Sequence, residues 1–423
     1  MIRFSRTARN SLLAIIALLA IFTAVNRDAG GERTPTAHIP ADHSLNALAG
    51  AGAIPLTQPK PPRKDLLVGD LDLLGQVDLT KRSLQGDRYE VPLPDGSTAI
   101  LTLDPNAQKA ADKVLAQAKA PMGAIVVMST DGRLLALSGR RHDAPSKKDH
   151  ELALSVWAPA ASIFKLITAS ALVEAGVNPN AKTCYHGGLR SVDKSNLVDS
   201  PRSDGACNDL GFAVAKSQNA LIAKLAHRHL DSKKLGSMAT RFGFGNAPSF
   251  ALDAQPGRIE LPADELEFAR VSAGFWNTEL SPLGGALAAN LIAAKGMRVT
   301  PRIVAEIRET GRVIPVVTKV PEQELDPEIA AAVAKMMTGT VRYGTAFKAF
   351  HDKRGRAYLK DIAVAGKTGS LSRTSPDYLA YSWFVGFAPA DDPQVVIAVL
   401  LGNSPLWHLK AHTAARLILD QLF

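Results

Sequence analysis

The chain has 423 residues, of which 46% are hydrophobic and 21% are charged. This balance excludes collagen-like, low-complexity and wholly disordered chains, and it fits one large domain or two modest ones. Lysine and arginine number 49 against 40 aspartate and glutamate residues, which gives a formal net charge of +9. The basic residues are scattered and lack interleaved aromatic residues, so the charge predicts a solvated surface and no nucleic-acid partner.

The N-terminus has the pattern of an export signal. Arg3, Arg6 and Arg9 precede an unbroken apolar run from Leu12 to Phe22. The run is shorter than the roughly 20 residues that span a bilayer, so a cleaved signal peptide is an alternative, although no A-x-A-like cleavage site follows. Residues 1–26 are predicted to be an uncleaved signal anchor that crosses the inner (cytoplasmic) membrane once. By the positive-inside rule the remainder is then periplasmic or extracytoplasmic.

The chain after the anchor divides by composition into three parts. Residues 27–64 are rich in proline, glycine and alanine without an apolar period, which predicts a flexible tether. Residues 65–94 contain short apolar stretches and are expected to form a short structured lead-in segment. The globular body is placed at 95–423, because Thr98 to Leu103 has β-strand character and Asp104-Pro105 is a helix-start signal.

The body is predicted to be α/β, with one sheet built from both ends of the domain. An Asp-Gly turn between apolar runs indicates an early hairpin. The predicted strands are Ala124 to Met128, Leu134 to Ser138, Ile362 to Ala365, Tyr381 to Ala388 and Gln394 to Leu401. The predicted helices are Asn106 to Lys119, Ser162 to Glu174, Leu210 to His229, Pro282 to Ala294, Pro327 to Met337 and Leu406 to Phe423. The central helices form an insertion at about 155–350, and a cleft is expected where this insertion meets the sheet.

Cys184 and Cys207 are the two cysteines of the chain. In an exported protein they can pair, and a bridge over this separation would stabilise the fold by about 3 kcal/mol. Two free buried thiols are the alternative. Two cysteines and the distant His186 do not reach four zinc ligands at a useful spacing, so no metal site is predicted.

Three short patterns with catalytic potential occur in order along the body. They are Ser162-Ile163-Phe164-Lys165, Ser217-Gln218-Asn219 and Lys367-Thr368-Gly369. Ser-x-x-Lys and Ser-x-Asn each occur twice in the chain, so context decides their meaning. The second Ser-x-x-Lys, Ser191 to Lys194, lies in a polar stretch without helical period and is predicted to be loop.

Ser162 opens an apolar-periodic helix, and a spacing of three residues places Ser162 and Lys165 on one face. A serine hydroxyl is a poor nucleophile, and a neutral lysine amine within hydrogen-bond reach can take its proton. The helix N-terminus adds N–H groups and a positive dipole end that favour an oxyanion. The pattern therefore predicts a serine nucleophile with a lysine base.

Ser217 and Asn219 fall in Phe212 to Ala226, whose apolar positions fit a mostly buried helix. Their polar groups need partners or a cleft there, so they are interpreted either as a proton relay and an amide holder or as capping and core groups.

Lys367 and Thr368 follow an apolar strand and can bind a carboxylate. Flanking glycines would let a substrate backbone approach this edge of the sheet. The N–H of Ser370 can complete an oxyanion hole with that of Ser162.

Together the three patterns resemble the active site of the penicillin-binding proteins and serine β-lactamases. Residues 95–423 are also similar to the transpeptidase domain of membrane-anchored, class B-like penicillin-binding proteins. The stretches that carry this similarity are Leu101 to Gln108, Gly123 to Ser138, Arg241 to Gly245, Tyr343 to Ala346 and Phe384 to Pro389. The resemblance implies an antiparallel five-stranded sheet flanked by N- and C-terminal helices, with a helical insertion subdomain and without the usual large N-terminal pedestal.

The resemblance also implies a role for each site residue. Ser162 would be the acylated nucleophile, Lys165 the general base and Ser217 the proton relay. The substrate-binding residues would be Asn219, Lys367, Thr368, Gly369, Ser370 and Ser372, with Lys367, Thr368 and Ser372 on the terminal D-Ala carboxylate. Two positions depart from the family pattern: Ala161 stands where glycine is usual, and Ser370 where threonine is common.

The function implied is a penicillin-binding peptidoglycan D,D-transpeptidase that cross-links stem peptides through a serine acyl-enzyme and needs no cofactor. A D,D-carboxypeptidase or β-lactamase is the alternative within the hydrolases, since these differ in whether water takes the acyl group. A non-catalytic β-lactam sensor or a scaffold of a cell-wall synthesis complex is the alternative of another class. The short interval before the body leaves no room for a glycosyltransferase domain, which makes a separate glycan polymerase a candidate partner.

Overall fold

A computed structural model describes residues 66–67, 71–188, 191–375 and 378–423. Lys64–Phe423 forms a unit of its own. The predicted signal anchor and tether lie outside the described residues. Within those residues, no helix combines the length and the apolar character that crossing a bilayer requires.

The strands follow one another from the N-terminus as β1 to β17. They are β1 (Leu66–Leu67), β2 (Ser83–Gln85), β3 (Arg88–Pro92), β4 (Thr98–Leu101), β5 (Met122–Ser129), β6 (Leu134–Arg141), β7 (Thr183–Tyr185), β8 (Ala206–Asn208), β9 (Arg258–Ile259), β10 (Thr278–Glu279), β11 (Met297–Arg298), β12 (Val304–Glu309), β13 (Arg312–Val317), β14 (Glu322–Gln323), β15 (Ala365–Arg373), β16 (Leu379–Ala388) and β17 (Val395–Asn403).

The α-helices of the described chain are α1 (Leu71–Leu74), α2 (Pro105–Ala118), α3 (Lys165–Glu174), α4 (Leu210–Ala215), α5 (Asn219–His229), α6 (Ser232–Arg241), α7 (Glu265–Ser272), α8 (Pro282–Ala293), α9 (Pro327–Arg342), α10 (Phe347–Phe350) and α11 (Ala411–Leu422). Turns of 3-10 helix occur at Leu79–Lys81, Asp149–Ala153, Ala161–Phe164 and Lys194–Asn196. The start of α2 shows how local sequence sets the beginning of a helix. The Asp104 carboxylate accepts a hydrogen bond from the N–H of Ala107, and Pro105 occupies the first turn.

The central sheet has five antiparallel strands in the order β15-β16-β17-β5-β6, which confirms the predicted five-stranded sheet. Side chains alternate between its two faces. On β5, Ile125 and Val127 join the core formed with α2 and α11, while Ala124, Val126 and Met128 join the core formed with the insertion. Because both faces are covered, the whole of β16 is buried.

Several predicted elements are wrong in their bounds; the C-terminal helix, for example, begins at Ala411 and not at Leu406. The predicted strand Ile362 to Ala365 lies almost entirely before β15, which begins at Ala365 and continues to Arg373. The predicted helix Leu210 to His229 is two helices, because Ser217 has a left-handed backbone with φ 55° between α4 and α5. The apolar positions continue across the break, so the apolar pattern alone does not reveal it.

A second sheet has six strands in the order β1-β13-β12-β4-β3-β2. Its strands β12 and β13 belong to the insertion, which is therefore mainly but not entirely helical. The lead-in segment supplies β2 and β3, and residue 95, the predicted start of the body, lies between β3 and β4 of this same sheet. The sheet thus joins the lead-in, the body and the insertion.

Candidate active site

Ser162 lies in the 3-10 turn Ala161–Phe164, directly before α3, and is partly exposed while its neighbours Ile163 and Phe164 are buried. The chain that leads into the turn is held on two sides. The N–H of Ala160 donates to the Thr278 carbonyl at 2.8 Å, and the Trp383 indole N–H donates to the Pro159 carbonyl at 2.9 Å. This support fixes where the serine hydroxyl emerges.

Lys165 begins α3 and is completely buried. Its Nζ lies 2.8 Å from Ser162 Oγ and 2.7 Å from Asn219 Oδ1, and it also contacts the carbonyl oxygen of Ala273. Burial, followed by the nearby positive charge of Lys367, holds the pKa of Lys165 well below its usual value of 10.5. A buried amine without a carboxylate among its hydrogen-bond partners in the described chain is favoured in its neutral form.

Ser217 and Asn219 stand on either side of the break between α4 and α5. The left-handed backbone at Ser217 turns the chain so that its hydroxyl accepts a hydrogen bond from Lys367 Nζ at 3.0 Å. Asn219, the first residue of α5, faces Lys165 instead. The break therefore connects the two lysines through neighbouring polar groups, an arrangement that one continuous helix would not give.

Lys367 lies on β15 and is completely buried. Besides Ser217, its amine contacts the carbonyl oxygen of Thr368 at 2.8 Å. Burial lowers the pKa of Lys367 to about 7. The charge of Lys367 is therefore sensitive to pH near neutrality and to any anion that binds beside this amine.

β15 is an edge strand of the central sheet, and its free edge runs beside the Ser162 turn. A Cβ at Gly369 would lie 3.4 Å from Ile163 Cγ1 and 3.5 Å from Ala161 Cβ. Thr368, Ser370 and Ser372 alternate along one face of the strand, and the two serines are exposed. The predicted site residues thus lie on the Ser162 turn and the start of α3, at the break between α4 and α5, and on the adjoining part of β15, with Ser372 further along that strand.

Further contributors have no signal in the three patterns. Thr345 shares a hydrogen bond with the Thr368 hydroxyl, and its N–H donates to the Ala215 carbonyl at 3.1 Å. Gly344 makes this approach feasible, because a Cβ there would lie 2.2 Å from the Ala215 oxygen. Ala273 contributes its backbone carbonyl group to Lys165, and because every residue has such a group, the sequence gives no signal for this contact.

The segment that contains Cys184 and Cys207 contacts the break between α4 and α5 and the helix that follows it. The two cysteines form a disulfide bond across β7 and β8. Within this hairpin the Tyr185 hydroxyl is 3.5 Å from the side-chain amide nitrogen of Gln218. The buried Lys224 amine of α5 donates to the Cys184 carbonyl at 2.9 Å. Elsewhere in the described ranges, no cluster of three or more His, Cys, Asp or Glu side chains is arranged to hold a metal ion.

This geometry can carry out acyl transfer. A hydroxyl faces a neutral amine, a second hydroxyl faces a second amine, and a strand edge passes beside the first hydroxyl. Residues 122–422 match the family model of the penicillin-binding protein transpeptidase domain. The chain belongs to this family.

Two curated relatives of this transpeptidase-domain protein show the extent of the similarity. The peptidoglycan D,D-transpeptidase PbpA of Mycolicibacterium smegmatis is 27% identical over 328 residues, which cover 72% of this chain and 61% of the relative. The stage V sporulation protein D of Bacillus subtilis is 27% identical over 340 residues, which cover 75% of this chain and 51% of the relative. The chain therefore spans less than two thirds of the length of these relatives.

Solved structures of the family share the fold. The imipenem acyl-enzyme complex of penicillin-binding protein A from M. tuberculosis has a TM-score of 0.65 at 22% identity, covering 77% of this chain and 80% of that one. The D,D-transpeptidase domain of a peptidoglycan glycosyltransferase from Eggerthella lenta has a TM-score of 0.63 at 22% identity, covering 79% and 95% respectively. At this identity the likeness establishes the fold.

Proposed function

We propose that the protein is a serine D,D-transpeptidase that cross-links peptidoglycan stem peptides and is acylated by β-lactams. The observation that carries the proposal is the 2.8 Å contact between Ser162 Oγ and the buried amine of Lys165, whose pKa is held low. Membership of the transpeptidase family and the D,D-transpeptidase name of the PbpA relative support the same activity.

In the proposed reaction Lys165 takes the hydroxyl proton while Ser162 Oγ forms a bond to the carbonyl carbon of the penultimate D-Ala. The N–H groups of Ser162 and Ser370 stabilise the oxyanion. When the tetrahedral intermediate collapses, the bond to the terminal D-Ala breaks and its amine takes up the proton that Lys165 received, relayed through Ser217. An acceptor amine then attacks the acyl-enzyme carbonyl and gives its proton to Lys165. The ester bond to Ser162 breaks, and Ser162 Oγ takes that proton back from Lys165.

The substrate side of the proposal is a carboxylate site on β15. Protonated Lys367 and the Thr368 hydroxyl bind the terminal carboxylate, with Ser372 as a further hydroxyl along the strand and Asn219 orienting the donor peptide. A bound carboxylate stabilises the charged form of a buried lysine, so substrate binding itself raises the proton occupancy of Lys367. A β-lactam with an acid group beside its reactive amide resembles this substrate, because it presents both a carboxylate for Lys367 and Thr368 and a carbonyl carbon for Ser162.

A D,D-carboxypeptidase or β-lactamase is the second candidate, and one observation weighs against rapid deacylation. In the part of the chain that the structure describes, the hydrogen-bond partners of Lys165 are a hydroxyl, an amide oxygen and a carbonyl oxygen. No carboxylate stands among them to activate water for attack on the acyl group. The acyl-enzyme is therefore expected to persist until an amine arrives.

The setting of the enzyme is part of the proposal. Residues 1–26 would anchor the chain in the cytoplasmic membrane and residues 27–64 would give the catalytic domain reach on the outer side. A separate glycan polymerase would supply the strands that are cross-linked. A scaffold role would require a site that is not acylated, whereas a β-lactam sensor would be acylated but would form no cross-linked product.

The deciding experiment is covalent labelling by a fluorescent penicillin. Wild type is expected to gain the mass of one penicillin stably, because water is poorly activated at the site, and Ser162→Ala is expected to gain none. Ser191→Ala, in the second Ser-x-x-Lys, is the matched control and should label like wild type. Absence of the adduct on wild type, or its presence on Ser162→Ala, would contradict the assignment.

Product analysis then separates the transferase from the hydrolases. The protein is incubated with a stem pentapeptide and an amine acceptor, and the products are read by mass spectrometry. A transpeptidase gives the amide-linked product in excess over the shortened tetrapeptide, whereas a carboxypeptidase gives the tetrapeptide whether or not the amine is present.

A further inference from the structure

The turn Ser272–Gly274, at the C-terminal end of helix α7, lies against the nucleophile and the base of the proposed reaction. The Ala273 carbonyl accepts a hydrogen bond from Lys165 Nζ. Gly274 packs on the backbone before Ser162, since a Cβ at Gly274 would lie 2.4 Å from the Ala161 oxygen and 3.1 Å from the Ser162 Cα. One short turn therefore touches both members of the pair.

The turn is tied to α3 by one side chain. Thr168, fully buried one helical turn after Lys165, donates from its hydroxyl to the Ser272 carbonyl at 2.7 Å. At 3.4 Å its bond to the Phe164 carbonyl within the helix is longer. The strong bond of Thr168 thus points away from its own helix and fixes the distance between α3 and the turn.

Counting protons on the Lys165 amine shows what the turn contributes. A neutral amine has two N–H bonds and one lone pair, and the site offers it three partners. The Asn219 amide oxygen and the Ala273 carbonyl can only accept, so they take the two N–H bonds. Ser162 is the partner with a proton to give, and the lone pair is left facing it.

We propose that the Ser272–Gly274 turn is a positioning element for the proposed transpeptidase reaction. It directs the lone pair of Lys165 onto the Ser162 hydroxyl. The Thr168 hydroxyl holds the turn against α3, and the lack of a side chain at Gly274 lets the turn pack on the backbone of Ala161 and Ser162. The inference rests on the proposed function. After proton transfer the ammonium has three N–H bonds for the same three partners, so the turn serves the amine in both protonation states.

The first test separates binding from acylation by measuring both the dissociation constant KS and the acylation rate k2 for a penicillin. Thr168→Val keeps the shape of the side chain but loses the hydroxyl, and is expected to lower k2 by about tenfold or more while KS changes by less than about twofold, because a small misplacement of reacting groups costs rate rather than affinity. Thr168→Ser retains a hydroxyl and is expected to restore k2.

The matched control for Thr168→Val is Ser170→Ala. Ser170 is also fully buried on α3, but its hydroxyl donates to the Leu166 carbonyl of its own helix. Its k2 should stay near that of wild type. Equal k2 values in Thr168→Val and wild type would overturn the inference, and so would a loss of k2 in Ser170→Ala as large as in Thr168→Val.

A second pair of variants tests the turn without changing α3. Gly274→Ala is expected to lower k2, because its methyl group meets the Ala161 carbonyl. Gly176→Ala has the same left-handed strain, with φ 86° against 78°, but open space around its Cβ, and should acylate like wild type. If Gly274→Ala acylated at the wild-type rate, the turn would not position the nucleophile. Failure of wild type itself to label would instead refute the proposed function.

Discussion

At the scale of single residues, the backbone at Ala161 explains the departure from the family pattern. Ala161 has a left-handed backbone with φ 49° and is fully buried. This conformation costs an L-residue about 1–2 kcal/mol and costs glycine almost nothing. Glycine is the usual residue here because the chain must turn sharply before the nucleophile, and this protein tolerates alanine at the cost of strain.

Ala161→Gly is therefore expected to change the free energy of unfolding by less than about 1 kcal/mol. Relief of about 1–2 kcal/mol offsets the loss of a buried methyl, about 0.8 kcal/mol, and the entropy of glycine in the unfolded chain. Ala169→Gly, equally buried but within α3, has no strain to relieve and should lose about 2 kcal/mol. Urea unfolding of wild type and both variants measures this. Equal losses of unfolding free energy in the two variants would contradict the strain at position 161.

Lys367 gives the site a dependence on pH. Its folded pKa of about 7 means that it loses its positive charge as the pH rises through neutrality. The KS of a carboxylate-bearing penicillin is therefore expected to rise above about pH 7, by at most about tenfold per pH unit for the loss of one proton. Lys367→Ala should weaken binding of such penicillins most below pH 7, and its difference from wild type should shrink as the pH rises.

Lys367→Arg is the variant that isolates the charge, since a guanidinium stays protonated throughout this range. Its KS should remain flat through pH 7 to 9 where that of wild type rises. The same alkaline rise in Lys367→Arg would show that another group titrates and that the carboxylate does not depend on the charge at position 367.

At the scale of elements, the parts of the fold that the sequence predicts are those with strong local patterns. The β5–β6 hairpin has its Asp-Gly turn, β16 and β17 have continuous apolar runs, and α2 has its Asp-Pro start. Strands β2 and β3 have largely exposed side chains, and they pair through β4 with β12, about 200 residues further along the chain. Exposed strands show no alternation of apolar and polar residues, and pairing between distant segments has no local sequence pattern. The six-stranded sheet therefore could not be predicted from hydrophobic periodicity.

The site shows the same division between side chains and backbone. Ser162, Lys165 and Lys367 are predictable because their chemistry belongs to their side chains. Ala273 and Ser217 matter through a carbonyl group and a left-handed backbone, and sequence patterns carry little information on either. The Ala273 carbonyl reaches Lys165 across 108 positions of sequence, so only the tertiary fold brings it to the amine.

At the scale of the whole molecule, the six-stranded sheet makes the lead-in segment part of the catalytic domain. Strand β4 lies between β3 of the lead-in and β12 of the insertion. The lead-in also buries apolar side chains in the main core, namely Leu73, Leu74, Val77, Leu79, Val91 and Leu93. Its removal would expose this surface and leave one side of β4 without its partner.

A chain that starts at Asp95 is therefore expected to unfold at a lower temperature than one that starts at Lys64. Each buried leucine or valine contributes about 1.5–3 kcal/mol, and six of them are lost together with the ladder between β3 and β4. The chain directly before β12 also bonds to the central sheet, since the Leu134 N–H of β6 donates to the Arg302 carbonyl at 2.9 Å, so the penicillin acylation rate should fall as well. Thermal unfolding and labelling of the two shortened chains, compared side by side, provide the measurement. Equal melting temperatures would mean that residues 64–94 are dispensable to the fold, and the catalytic domain would then begin near residue 95 as its sequence predicts.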